Sequence, residues 1–382
     1  MRVCYVTDWS ATIAGAQQSL LNLFIGLKEK GVTPYLVSHI NWEILTLAEK
    51  EGIEVKCVKG KLSIIGKEDK TLFTYMKYPL KRIYNYMHLK EAIFFLKINK
   101  IELVHLNSLL ASEIWARAAL KCGIPYIWHI REFVEKDHNR VIINKKYIYG
   151  LVRKAKQVIT ISKDVNDYWE EELKRKCVCI YNGIPLEENY DTVEGKFRSK
   201  QLRCMIVGRV VENKGQMEAV KAVERMLEQG YTNIHLSIVG YRARGEYEKQ
   251  MVEYIKSNDL ADYIEVIDYT HDLKNIRNSH DVGLVCSKAE AFGRVTIEYK
   301  FAGMLAIGTN TGGTPELIND GETGFLYEQG NYKALAEVLK KIINEPGRAR
   351  SIALYGQKMA IEKFEIGRTT EKIYNLYEQI LG

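Results

Sequence analysis

No apolar run in this 382-residue sequence approaches the roughly 18 residues of a membrane span, so a transmembrane helix is not expected. The start, MRVCYVTDWS, lacks a basic stretch followed by an apolar one. That argues against a secretory leader and for a cytoplasmic protein. Metal-ligand spacing is missing as well. The seven cysteines stand at 4, 57, 122, 177, 179, 204 and 286, and Cys177-Val178-Cys179 is one residue short of a CxxC hairpin. Structural zinc is not expected, and thiols in segments such as RVCYV and RCMIVG read as buried and reduced. The chain has no GxGxxG, and GKLSIIGKE at 60–68 misses the GxxxxGK[ST] phosphate loop in spacing and in its last residue. Dehydrogenase and P-loop readings lose ground. There is no short-period repeat and no low-complexity segment.

What is present is the composition of a folded soluble protein, 46% hydrophobic and 27% charged. A single core stops growing near about 250 to 300 residues, so two domains are expected. The formal charge of +7 suits nucleic acid, anionic lipid or phosphorylated ligands and does not choose among them. Strand-like runs recur in the first half: RVCYVT, PYLVS, EVKCV, ELVHL, YIWHI and QVITI. Between several of them lie helical segments such as AQQSLLNLFIGLKEKG, where Leu20, Leu23, Phe24 and Leu27 share a face. After a polar stretch at 186–201 the pattern restarts with LRCMIVG, IHLSIVG, YIEVI, DVGLVC and MLAIGT. This alternation predicts an α/β chain of two doubly wound, Rossmann-like domains, 1–185 and 186–364, facing across a cleft. Such sheets bind ligands beyond the carboxyl ends of their strands, which makes the cleft the expected active site.

The segment EAFGRVTIE, 290–298, follows a buried strand and starts a helix near Gly293 or Arg294. On an ideal helix two positions eight apart are about 12 Å apart. Paired glycosidase carboxylates lie about 5 to 9.5 Å apart, so Glu290 and Glu298 are not read as an acid and base pair. A helix start between two carboxylates suits another role, in which unpaired amides meet an anion while the carboxylates accept hydroxyl hydrogen bonds. In VGRVVENKG, 207–215, Arg209 and Lys214 project beyond a strand end, where two cations would neutralise a diphosphate leaving group. Solvated loop cations are the plain alternative. Tyr241 and Arg242, and the stretch from Tyr269 to Asp272, are placed to surround a nucleobase. His129, in PYIWHIREF, reads on its own as a satisfied core histidine. Asn182-Gly183-Ile184 reads as a turn.

Glu290, Phe292-Gly293 and Glu298, followed by Gly312-Gly313-Thr314-Pro315-Glu316, form a combination that resembles the retaining glycosyltransferases of family 4. Those enzymes have the GT-B fold. The resemblance runs nearly the whole chain and is densest over 203–330. It implies that Glu290 accepts hydrogen bonds from donor-sugar hydroxyls and Glu298 from a ribose, while the amides of Phe292 and Gly293 meet phosphate. It implies that Arg209 and Lys214 hold the diphosphate and that His129 faces the donor sugar. Gly15 would belong to a loop approaching the donor phosphates, although Ala14 and Gln17 depart from the family's Gly-Gly-Ala-Glu and Gln17 is left to the acceptor. Arg131 stands where many members have an acid, which points to a variant acceptor or phosphate contact. Glu298-Tyr299 and Leu305-Ala306 depart from the family in packing positions. The last helix, 365–382, would return to the first domain.

The resulting expectation is a glycosyltransferase of hexosyl or N-acetylhexosaminyl type. It would use a nucleotide diphosphate sugar as donor, with no cofactor and no metal. Its acceptor would be a glycan or a lipid-linked molecule. The segment 74–100 interleaves Lys77, Lys81, Arg82, Lys90, Lys97 and Lys100 with Tyr, Phe, Met and Leu. It fits an anionic surface at the inner face of the cell membrane, or a solvated lysine face on a packed helix. No nucleic-acid motif accompanies it. The alternative is a noncatalytic subunit of the same fold that assists a partner transferase; a phosphorylase or epimerase on the same architecture shares the cleft but transfers to phosphate or inverts a centre within the donor, and the family's motifs favour transfer to an acceptor.

Overall fold

A computed structural model of the chain describes residues 1–7, 15–61, 63–109, 113–135, 139–242, 244–270 and 272–382. The chain divides into two compact units, Met1–Gly183 with Ile366–Gly382, and Ile184–Glu365. Asn182 and Gly183, expected to form a turn, form none and have no positive φ; they end the first unit's main segment.

The first unit is built on β1 (Arg2–Val6), β2 (Thr33–Ser38), β3 (Glu54–Cys57), β5 (Leu103–Leu106), β6 (Tyr126–Ile130), β8 (Gln157–Thr160) and β9 (Val178–Cys179). The order across the sheet is β3-β2-β1-β5-β6-β8-β9, with all pairs parallel. β5 and β6 are buried at every residue, as expected where helices cover both faces of a parallel sheet. A separate antiparallel ribbon pairs β4 (Ile64–Gly66) with β7 (Arg140–Ile142). The helix Gly15–Glu29 buries Leu20, Leu23, Phe24 and Leu27 in a core that also takes Ile373 and Tyr377 from the helix Ile366–Leu381. The C-terminal helix therefore belongs to this unit.

The second unit has β10 (Leu202–Val207), β11 (Ile234–Gly240), β12 (Ile264–Asp268), β13 (Val282–Val285), β14 (Leu305–Thr309) and β15 (Phe325–Tyr327). Their order, β12-β11-β10-β13-β14-β15, is again parallel throughout. Counted within the unit this is 3-2-1-4-5-6, the Rossmann order, which reverses direction between its first and fourth strands. Loops leaving the carboxyl ends of β10 and β13 flank that reversal. They are the loops 208–215 and 286–293, which carry the motifs picked out in the sequence.

Tyr299 lies wholly buried beneath the reversal point, its hydroxyl accepting the Val207 amide at 2.8 Å. A Cβ at position 283 would come within 2.2 Å of its ring, so the glycine of β13 makes room for it.

Candidate active site

In the second unit, the chain leaving β10 turns through Gly208 and a 3-10 turn, Glu212–Lys214, before the helix Gln216–Glu228. Gly215 caps that helix at φ +70°, and a Cβ there would sit 2.1 Å from the Cys286 carbonyl oxygen. Only glycine lets the two loops approach so closely. Lys214 consequently reaches across to Glu290, Nζ to Oε2 at 2.7 Å, and Ser287 donates its hydroxyl to the same oxygen at 3.0 Å. Both partners keep partial exposure, 29% and 20% of their side chains. Arg209 is exposed and, among the described residues, enters no ion pair; only its carbonyl is used, accepting Gln216 Nε2 at 2.8 Å.

The Gly-Gly segment acts on Glu290 from behind. Gly312, at φ +59°, lies where a Cβ would be 2.4 Å from the Glu290 carbonyl oxygen, and the Gly313 amide donates to that carbonyl at 2.7 Å. The helix Arg294–Phe301 then starts from Gly293, with Phe292 buried in an edge contact with Phe364. This start is where the sequence placed it. Buried Thr296 Oγ1 and Thr314 Oγ1, in the first turns of the helices Arg294–Phe301 and Thr314–Leu317, have no hydrogen-bond partner among the described residues.

Glu298 is held quite differently. Arg294, one turn earlier, donates Nε to Oε1 at 2.8 Å, and Arg277 donates Nη1 to Oε2 at 3.0 Å. Arg277 is 6% exposed and Glu298 12%, and Arg277 Nη2 continues to Asn189 Oδ1 at 2.7 Å. The carboxylate is thus fixed before any ligand arrives, each oxygen keeping a second lone pair for a hydroxyl. The Arg294 contact follows from i,i+4 spacing, whereas nothing local in the sequence announces Arg277. Ser287, Arg277 and Asn189 are the residues that sequence reasoning missed.

Tyr241 and Tyr269, both more than half exposed, line a pocket of about 430 Å³ with Arg242, Arg244 and Asp268. Arg242 is braced from below by Glu248 at 2.6 Å. The flat rings and the guanidinium make a surface suited to a planar base.

In the first unit, His129 stands next to last in β6, in a chain of buried polar groups. Its Nδ1 lies 3.2 Å from His105 Nε2 and 3.3 Å from Arg131 Nη2. His105 Nδ1 is 2.6 Å from the Tyr377 hydroxyl, which lies 3.0 Å from that of Tyr5. Burial pushes both histidines well below their ordinary pKa, and the Arg131 charge lowers them further, so both rings are neutral. An arginine can only donate. His129 Nδ1 is therefore an acceptor and the ring proton sits on Nε2, an atom with no hydrogen-bond partner among the described residues.

Two expectations need correction. Arg131 is 6% exposed and bonds to Asn107 Oδ1 at 3.0 and 2.9 Å and to Asn182 Oδ1 at 2.5 Å, so it is an internal brace and not an open phosphate contact. Gln17 is 2% exposed, so it offers no open surface to an acceptor. Gly15 opens the first helix and is exposed, but Thr12, Ile13 and Ala14 of its loop lie outside the described residues.

Two family models cover these two units in turn. Residues 13–188 match the model for Glycosyltransferase Family 4, and residues 190–359 that for Glycosyl transferases group 1. The chain belongs to the group 1, family 4 glycosyltransferases. This glycosyltransferase is 29% identical over 204 residues to the capsular polysaccharide biosynthesis glycosyltransferase CapM of Staphylococcus aureus, an alignment covering 51% of the chain and 50% of CapM. The chain thus spans about half the length of that relative. Spore coat protein SA of Bacillus subtilis is 23% identical over 270 residues, with 62% of this chain and 71% of that protein aligned. Among solved structures, HepE of Anabaena in complex with UDP superimposes with a TM-score of 0.83 over 99% of this chain and 100% of that one, at 19% identity. A glycosyltransferase from Rickettsia africae gives 0.83 at 22% identity, over 100% and 98%. These likenesses establish the GT-B fold of the glycosyltransferase.

Proposed function

We propose that this glycosyltransferase moves a sugar, with retention at the anomeric carbon, from a nucleotide diphosphate sugar to a hydroxyl of a glycan or lipid-linked acceptor in bacterial surface polysaccharide synthesis. A UDP-sugar is the favoured donor and a GDP-sugar the alternative. The observation that carries the reading is the Lys214–Glu290 ion pair at the mouth of the helix Arg294–Phe301. A diphosphate arriving at the helix start draws Lys214 away, joined by exposed Arg209, and the released Glu290 carboxylate accepts a sugar hydroxyl. The donor thereby replaces each partner of the pair with its own complementary group.

In the chemical step the acceptor oxygen bonds to the anomeric carbon as the bond to the diphosphate oxygen breaks. The electron pair leaves onto the diphosphate, where Arg209, Lys214 and the helix amides hold the charge, and the acceptor proton passes to that leaving oxygen. Cations supplied by the chain make a bound metal unnecessary in this reading. Glu298 accepts from the ribose with its remaining lone pairs, and Tyr241 and Tyr269 take the base. The first unit serves the acceptor side, with His129 as its candidate catalytic residue. CapM acts in capsular polysaccharide biosynthesis, and HepE structures hold UDP and UDP-glucose, which supports the choice of pathway class and donor.

The test is a turnover screen with UDP-, GDP- and ADP-sugars, repeated in EDTA and on Glu290→Gln and Arg209→Ala. Turnover should persist in EDTA and fall about 10²-fold or more in each variant, the scale of losing one preorganised charge-stabilising contact. No turnover with any donor, together with unchanged donor binding in both variants, would overturn the assignment.

A further inference from the structure

The helix Leu72–Ile98 is apolar on two opposite faces. Inward, Tyr78, Leu89, Ala92, Phe95 and Leu96 are buried against the first unit. Outward, Met76, Leu80, Ile83, Met87, Phe94 and Ile98 are each between 58% and 68% exposed. Their spacings of four, three, four, seven and four residues keep them on one stripe, diametrically opposite the buried one. At 1.5 Å per residue the stripe is about 33 Å long. A helix on a protein surface needs only one apolar face, and a continuous second one in water marks an interaction site.

Charge selects the occupant. Residues 72–100 hold six basic side chains, Lys77, Lys81, Arg82, Lys90, Lys97 and Lys100, against Glu91 alone, a formal +5. Glu91 itself faces Lys56 at 3.3 Å, so it does not offset the others. Lys90 lies seven residues after Ile83 and four before Phe94, and Lys97 seven after Lys90, so both ride along the stripe. A second copy of this helix would bring +5 against +5. A zwitterionic surface answers only the apolar stripe. We infer that this face docks in the plane of an anionic bilayer, with the six apolar side chains below the headgroups and Lys90 and Lys97 extended to lipid phosphate. This lies outside the donor site, since the helix is in the first unit and vesicle binding needs no sugar nucleotide.

The test is flotation of the purified full chain with phosphatidylcholine vesicles, with and without phosphatidylglycerol. The chain should float with the anionic vesicles only, and should be partly released by salt. The triple variant Leu80→Ser, Ile83→Ser, Met87→Ser should lose at least about tenfold in partitioning while keeping its melting temperature, because all three side chains face solvent. Lys90→Glu with Lys97→Glu should lose a similar factor on anionic vesicles. The inference fails if the wild type stays with the unbound fraction, or if the triple-serine variant floats equally well. It also fails if the wild type is a dimer in light scattering that the same three substitutions dissociate, which would make the stripe a contact between copies.

Discussion

Glu290 and Glu298 have the same chemistry and opposite surroundings, and the difference predicts how each responds to the same substitution. Glu290 shares a partly exposed pair with Lys214, so Glu290→Gln should change stability by less than about 1 kcal/mol. Glu298→Gln leaves the charge of Arg277, 6% exposed, without its counter-charge, and breaking a buried pair by removing one partner costs about 3 kcal/mol or more. Urea unfolding of the two variants decides the matter; equal costs would mean that Arg277 is not held by its charge. The two carboxylates could be separated from a catalytic pair by spacing alone. Their unlike partners could not be read, because Arg277 arrives from the helix Leu273–Asn278, some twenty residues upstream, and only folding brings it to Glu298.

At the level of elements, most of the legible strands have long buried runs, since a strand covered on both faces must be apolar along its length, whereas β3 and β12 are largely uncovered and are legible from their β-branched residues. β4, β7, β9 and β15 are two or three residues long, too short for any periodicity to register. The polar chain His105, His129, Arg131 was opaque for a related reason: β5 and β6 read as uniform core, and only their parallel register sets His105 beside residue 127 and lets the two rings meet. That chain has a consequence for pH. Both histidines are held below their ordinary pKa by burial, with the Arg131 guanidinium, Tyr5 and Tyr377 packed around them. His39 is likewise lowered, to about 4. The unfolded chain protonates these rings near pH 6.5 and the folded chain does not, so the unfolded state binds more protons as pH falls below 6.5. Stability present above that pH is lost below it, by about 1.4 kcal/mol per pH unit for each ring still neutral in the fold. Melting temperatures at pH 7.5, 6.5 and 5.5 should be flat across the first interval and drop across the second. Substitution of His39 by Gln should shallow the drop; a melting temperature that held steady down to pH 5.5 would contradict the burial of these rings.

For the molecule as a whole, the two units have separate cores, one around Leu23, Leu36 and Tyr377 and the other around Ile206, Leu236 and Leu284. Apart from Gly15, the groups assigned to the nucleotide diphosphate lie in the second, namely Arg209, Lys214, Tyr241, Phe292, Gly293 and Glu298. A ligand that binds only the folded form stabilises by about 2.7 kcal/mol at a hundred times its dissociation constant, and it stabilises only what it binds. UDP, which lacks the sugar, should therefore slow amide exchange in the loops 208–215 and 286–293 and around Tyr241. It should leave β1 and β6 of the first unit at their unliganded rates. Lys214→Met should abolish most of the protection by UDP while leaving the weaker effect of uridine intact, because the lysine meets phosphate and not the base. Protection that appeared equally in both units, or that survived Lys214→Met unchanged, would place the diphosphate elsewhere than at the start of the helix Arg294–Phe301.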